Sequence, residues 1–242
     1  TKYKYNSYNQ LVSTTNPDQE GKTQFWYDFY GRIVLSQNPE QQQVNKYSYV
    51  FYDKQGRPEE AGQVVPATAF NETTLLKVQD PVSTVFRAWI TASGSTRTEV
   101  TRTYYDRAYM PAVQMRFTLQ PGQTQPGQQN LRFRVASVAY YTEVTATTDF
   151  KTQYASATHY TYDLHGNVLQ TLQDVPELAL VKQDIKSTEY EFELISGNVK
   201  TVKYQKDKLD QMTHTYIYDR ANRLEEVFVS TDKIHQSRQA HY

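Results

Sequence analysis

The stretch Phe25 to Leu35, FWYDFYGRIVL, holds the element that constrains this chain most: Tyr27-Asp28, two variable residues, Gly31-Arg32 and an aliphatic residue. Near copies follow or precede it as YNSYNQL from Tyr5, YDKQGRP from Tyr52, YDRAYMP from Tyr105, YDLHGNV from Tyr162, FELISGNV from Phe192 and YDRANRL from Tyr218. Successive anchors lie 22, 25, 53, 57, 30 and 26 residues apart, so the two long gaps are each about twice the unit. One repeat, with degenerate or expanded copies, accounts for most of the chain.

The unit has the chemistry of a hairpin turn. Asp at the first position of a type I turn accepts a hydrogen bond from backbone two residues on, and Gly at the fourth takes the left-handed conformation that closes the hairpin with a bulge. Asp28 with Gly31, Asp53 with Gly56, and Asp163 with Gly166 fit this pattern. Asn9 and Asn222 replace Gly in two copies, and Asn is the residue type that tolerates positive φ next best. A turn predicts that exchange; a catalytic loop does not.

On either side of each turn the residues alternate with period two, rich in Tyr, Thr and Val, as strands do. Thr23, Phe25 and Tyr27 fall on one face, and Gln24, Trp26 and Asp28 on the other. The expectation is an all-β fold of antiparallel hairpins stacked side by side over residues 1–242, with Tyr27, Tyr52, Tyr162 and Tyr218 forming a ladder across the sheet. Expanded or degenerate repeats are expected at 58–100 and 106–150. The first holds either a short helix around residues 72–77 or another hairpin with long arms. In the second, residues 121–129 form a Pro/Gly/Gln loop between a strand-like Ala112 to Leu119 and a decayed turn copy at Asn130 to Val135, which brings the count to about eight hairpins.

Composition suits a sheet with wetted faces: hydrophobic residues make up 38%, and 21 Tyr outnumber 10 Phe and 2 Trp together. Lys plus Arg equals Asp plus Glu at 26 each, and no basic block marks a nucleic-acid footprint. Cysteine is absent, which excludes disulfides and thiolate metal sites, and apolar runs are too short for a membrane span. The chain opens on Thr1 and reads as a piece of something longer.

Candidate chemical residues mostly have plainer readings. The repeated Asp residues Asp28, Asp53, Asp106, Asp163 and Asp219 stand one per turn, about 10 Å apart if hairpins stack, too far to share an ion. No paired-His spacing occurs, and Glu59-Glu60 and Glu225-Glu226 point to opposite faces of a strand. Arg32, Arg57 and Arg223 are expected to pair with the turn Asp of the next hairpin. Trp26 and Trp89, with rows of Tyr, are the rings that could stack on sugars. No catalytic residue, cofactor or metal is assigned, and the chain is not read as an enzyme.

The motif Tyr-Asp-x-x-Gly-Arg-Ile/Leu at this period resembles the YD repeat of the rearrangement-hotspot (Rhs) family. That family includes bacterial polymorphic toxins, the B and C components of insecticidal toxin complexes, and teneurins. THYTYDLHGNVLQTLQD, YEFELISGNVKTVKYQ and HTYIYDRANRLEEV look like the segment preceding the core domain in large Rhs proteins of Bacteroidota. The resemblance implies a spiralling sheet that closes into a hollow shell around a C-terminal effector, often a toxin, in a secreted or cell-surface bacterial protein. The family's aspartate-rich self-cleavage motif around Asp-Pro-x-Gly is missing, since Asp80-Pro81 is followed by Val82-Ser83. Implied partners are the rest of the polypeptide and its effector, with secretion machinery or target-cell glycans beyond them. The alternative is an adhesin or carbohydrate-binding wall built from the same repeats.

Overall fold

A computed structural model describes residues 1–17, 21–72, 84–120, 124–232 and 235–242. Its strands are β1 (Lys2–Tyr5), β2 (Leu11–Thr15), β3 (Thr23–Tyr27), β4 (Ile33–Gln37), β5 (Tyr47–Tyr52), β6 (Pro58–Val65), β7 (Thr96–Tyr105) and β8 (Val135–Val144). They continue as β9 (Ser156–Tyr162), β10 (Val168–Asp174), β11 (Ile185–Phe192), β12 (Val199–Tyr204), β13 (Met212–Tyr218), β14 (Leu224–Ser230) and β15 (Ser237–His241). All fifteen lie in one sheet whose hydrogen-bonded order is the order of the chain. The fold is all-β and antiparallel.

This topology gives the sheet two different rims. Every connection from an odd strand to the next even one lies at one end of the strands, and six of these seven are the short turns built on the repeat motif. The return connections lie at the other end and share no motif. Between β4 and β5 runs a helix, α1 (Pro39–Gln43), whose start is fixed locally. Asn38 Oδ1 accepts from Gln41 N at 2.8 Å, Gln41 Oε1 accepts from Asn38 N at 2.9 Å, and Pro39 stands at the first helical position.

The two long gaps in the repeat are not doubled units. Between Tyr52 and Tyr105 there is a single hairpin partner, β6, followed by a return connection that carries a second helix, α2 (Thr84–Ile90), before β7. The alternatives weighed for residues 72–77 lie almost wholly outside the described residues. Between Tyr105 and Tyr162 the turn itself is enlarged, and Pro111–Arg116 is a 3₁₀ helix where a strand was expected at Ala112 to Leu119. Among the described residues there are seven hairpins, because two sequence copies are the halves of one turn.

The chain divides into two compact units, residues 1–103 with 139–154, and 104–138 with 155–242. In the first, α2 lays Phe86, Trp89 and Ile90 onto Leu35, Tyr47, Tyr49, Phe51 and Val64 of β4 to β6, and all eight are buried. Trp26, Tyr52 and Phe70 pack around them. The same unit buries a charge cluster: Glu60 Oε1 accepts from the Tyr49 hydroxyl at 2.7 Å and from Arg97 Nη1 at 2.8 Å, while Arg102 Nε lies 3.3 Å from Glu60 Oε2. The carboxylate and burial together drive the Tyr49 hydroxyl far above the ordinary phenol range, with burial the larger cause.

In the second unit, Leu131 and Ala136 pack with Tyr162, Tyr160 and Val168. The enlarged turn is stitched to the sheet where Gln170 Oε1 accepts from Thr118 N at 2.9 Å and Gln128 Nε2 donates to Tyr160 O at 2.8 Å. Ser137 Oγ and His159 Nδ1 meet at 2.8 Å, both fully buried. Asp174 Oδ2 is 3.9 Å from His159 Nε2. Serine, histidine and aspartate thus lie together, all three buried.

Candidate functional site

The repeated turns form a constellation that recurs along the sheet. In the turn from β3 to β4, Asp28 N donates to Arg32 O at 2.9 Å and Gly31 N to Asp28 O at 3.0 Å. Asp28 Oδ1 accepts from Tyr30 N and Arg32 N, at 3.0 and 2.9 Å, and Oδ2 accepts from Arg32 Nε at 2.8 Å. Asp53 holds Gln55 N, Arg57 N and Arg57 Nε in the same way, and Asp219 holds Ala221 N, Arg223 N and Arg223 Nε. Asp163 takes Asn167 in place of Arg, and in the first turn Asn6 takes Gln10.

The left-handed position is filled as turn chemistry demands, by Gly31 (φ 76°), Gly56 (φ 81°), Gly166 (φ 101°), Asn9 (φ 61°) and Asn222 (φ 61°). A register shift falls at Tyr27, Tyr52 and Tyr218 and just after Val168 in the pair with β9, the mark of a bulge beside each turn. Asp53, Asp163 and Asp219 are held below the ordinary carboxylate value. For Asp53 and Asp163 burial opposes the shift, but the hydrogen bonds from the turn outweigh it; for Asp219 the backbone bond from Arg223 is the leading cause.

Arg32, Arg57 and Arg223 each pair with the aspartate of their own turn, where a pairing with the next hairpin was expected. The turn folds residue i+4 back beside residue i, which brings Arg32, Arg57 and Arg223 to 2.6, 2.7 and 2.7 Å from their own carboxylates. What reaches the next hairpin is the face of the guanidinium. Arg32 lies 4.2 Å from the centroid of the Tyr52 ring, and Arg134 lies 5.5 Å from that of Tyr162.

Tyrosine completes the link in the opposite direction. The hydroxyls of Tyr27, Tyr52, Tyr162 and Tyr218 donate to Leu11 O, Ile33 O, Val135 O and Val199 O at 2.7, 3.0, 2.8 and 3.0 Å. Each acceptor is the first residue of the strand leaving the previous turn. Burial raises all four hydroxyls above the usual phenol value. The ladder is therefore one of rings bonded to backbone across hairpins.

A steric rule governs the glycines. A Cβ on Gly31 would stand 2.9 Å from Gln10 Nε2, on Gly56 3.3 Å from Arg32 Nη1, and on Gly166 2.8 Å from Arg134 Nη2. In each case the crowding atom ends the long side chain that closes the preceding turn. Gly197 follows a turn closed by the short Asn167, and a Cβ there would meet nothing within 4 Å.

The turn between β7 and β8 shows the same parts pulled apart. Asp106 N donates to Arg134 O at 3.1 Å and Asp106 Oδ1 accepts from Phe133 N at 2.6 Å, so residues 107–132 are inserted inside one turn. Phe133 sits in the left-handed position at φ 60°, where other turns place Gly or Asn. The segments read as two copies, Tyr105 onward and Asn130 to Val135, close on each other.

Of the two rings named for stacking, Trp89 is buried and Trp26 is half-buried. Trp89 is only 7% exposed, donates Nε1–H to Thr68 O at 3.0 Å and lies against Tyr47, Phe70 and Phe86. Trp26 meets Phe70 edge-on at 5.0 Å and Tyr47 at 6.1 Å. Both rings are packing of the first unit: Trp89 belongs to α2 and faces the sheet, and Trp26 packs beside the same cluster through Phe70 and Tyr47. Among the described residues no group of three or more His, Asp or Glu is placed to hold a metal ion, and no helix is long and apolar enough to cross a membrane.

No protein-family model matches the chain, and no curated protein matches it. Among solved structures, a chain in the crystal structure of TcdB2-TccC3-Cdc42 aligns with 98% of this chain at 14% identity and a TM-score of 0.31. This chain spans 12% of that one. An overlap at that score carries no argument about function.

Proposed function

We propose that this chain is a stretch of wall in a large YD-repeat protein, a sheet that surrounds and helps deliver a C-terminal effector. The observation that carries this reading is the two-way lock between hairpins: tyrosine reaches back to the previous strand, and arginine reaches forward over the next tyrosine. A lock of this kind depends on no particular position in the row. It lets a sheet extend by any number of like units, as a wall requires, and it uses Asp, Gly, Arg and Tyr for joining, not for chemistry. The resemblance of the motif to Rhs repeats supplies the enclosed effector and the location outside the producing cell.

Cryo-electron microscopy of the longest native polypeptide containing residues 1–242 tests this. Consecutive hairpins in the wall of a closed body with extra density inside are the expected result. An open sheet that encloses nothing would remove the encapsulating role. In the carbohydrate-binding alternative Trp89 is buried, which leaves half-buried Trp26 and the rows of Tyr as its candidate rings.

A further inference from the structure

Neighbouring hairpins meet along seams, and the seams share a gap at the rim that carries the motif turns. Across β2–β3, β4–β5, β10–β11 and β12–β13 the backbone ladder ends at Ser13–Gln24, Leu35–Tyr49, Gln170–Glu189 and Thr201–Thr215. In each seam the last three residues of the entering strand lie beyond that pair: Phe25 to Tyr27, Val50 to Tyr52, Tyr190 to Phe192, and Tyr216 to Tyr218. There the join falls to side chains. In three of the seams the third residue is a tyrosine whose hydroxyl spans the gap, Tyr27 to Leu11 O, Tyr52 to Ile33 O and Tyr218 to Val199 O.

Of these four seams, the one between β10 and β11 has neither half of the lock. Its third residue is Phe192, which has no hydroxyl to give to Val168 O. Asn167 stands where Arg32 stands in its own turn, and its Nδ2 donates to Asp163 Oδ2 at 2.8 Å. That side chain is too short to reach forward: a Cβ added to Gly197, the left-handed residue of the next turn, would meet nothing within 4 Å. Asn198 is as short in the seam from β12 to β13, but there Tyr218 supplies the hydroxyl. The tips on either side of the gap, Leu164, Leu194 and Ile195, are 85%, 85% and 95% exposed and do not fold over it. Side-chain bonds cross this seam farther from the rim. Gln170 Nε2 donates to Ser187 Oγ at 2.7 Å, and Thr118, whose N–H is held by Gln170 Oε1, donates its hydroxyl to Glu189 Oε1 at 2.8 Å.

We infer that the row of hairpins opens at the seam between β10 and β11, as a wedge from the motif rim that pivots at Gln170 and Glu189. Opening there breaks no hairpin. β9 and β10 keep their ladder from Tyr162–Val168 to Ala157–Asp174, and β11 and β12 keep theirs from Phe192–Val199 to Thr188–Tyr204. In the other three seams the same movement first has to break a tyrosine hydrogen bond. The hairpins on either side of the joint can thus turn against each other while each stays folded. The joint follows from the lock between hairpins, whether or not the sheet encloses an effector.

Hydrogen exchange of the 242-residue chain, read residue by residue by NMR, tests this. In the unmodified chain, amides that bond between β10 and β11 should exchange before those inside the flanking hairpins, β9 with β10 and β11 with β12. The double variant Asn167→Arg/Phe192→Tyr installs the missing guanidinium and hydroxyl. It should slow exchange between β10 and β11 about tenfold and leave the rates between β13 and β14 where they were. One common rate for the seam and both hairpins in the unmodified chain overturns the inference, since the seam then opens only with the whole unit. So does a double variant that slows every amide alike, and so does one that leaves the β10–β11 amides at their original rate.

Discussion

The guanidinium of Arg32 lies 4.2 Å from the centroid of the Tyr52 ring, one hairpin further along, while its Nε stays bonded to its own Asp28. One side chain thus belongs to two repeats. Lysine at this position keeps the charge but loses the planar fork and the stack. Arg32→Lys should destabilise the chain by about 1 kcal/mol, read from urea unfolding. Arg223→Lys should cost less, because that side chain is 80% exposed. Equal losses at the two positions would mean that the stack contributes nothing.

The tyrosine hydroxyls can be tested one atom at a time. Tyr52→Phe and Tyr162→Phe keep the ring and delete the donor to Ile33 O or Val135 O. Each should cost about 1 kcal/mol, and hydrogen exchange should quicken in the strand that leaves the preceding turn. An unchanged urea midpoint in both variants would argue that the hydroxyl bonds add nothing to the lock.

Asparagine fits the turn at Asn9 and Asn222, so backbone strain alone does not forbid it elsewhere. The preceding turn decides. Gly197→Asn should be nearly neutral, whereas Gly166→Asn pushes on Arg134 Nη2, which stands 2.8 Å from the new Cβ and belongs to a guanidinium that also donates to Asn130 O. The expected difference is about 1 kcal/mol, the scale of one lost hydrogen bond. Thermal melts of the two variants side by side measure it, and the reverse order would refute the steric rule.

Acid should loosen the turns. Asp53, Asp163 and Asp219 titrate lower in the folded chain than in the unfolded one. Their contribution is therefore complete above the unfolded carboxylate value of about 4 and is lost as pH falls through the folded values. Urea midpoints should drop in that window, and the drop should shrink in Asp53→Asn and Asp163→Asn. Variants that keep the full acid dependence would place its source in other carboxylates.

Trp89 gives a test of packing against recognition. Trp89→Ala removes a ring enclosed by Tyr47, Phe70 and Phe86 and should cost about 3 kcal/mol or more, with a broadened or lost thermal transition. A variant that folded with unchanged stability but lost glycan binding would return the tryptophan to the surface role.

Turn chemistry was open to reading in the sequence because its bonds are local: Asp28 meets Tyr30 and Arg32, and the left-handed residue comes three positions on. Strand alternation was open for the same reason, since period two follows from the backbone of a single strand. From these the all-β hairpin row followed. The tertiary structure decided everything that joins residues far apart in the chain. It sent arginine back to its own aspartate and its guanidinium face forward to the next tyrosine, and it closed Asp106 on Arg134 across an insertion that sequence spacing divided into two repeats. It also brought Trp89 onto β4 to β6 on α2, a helix the repeat did not announce, and packed Trp26 beside Tyr47 and Phe70. A turn is specified by neighbours within five residues, whereas burial depends on which distant segment lies over a face, and no periodicity records that.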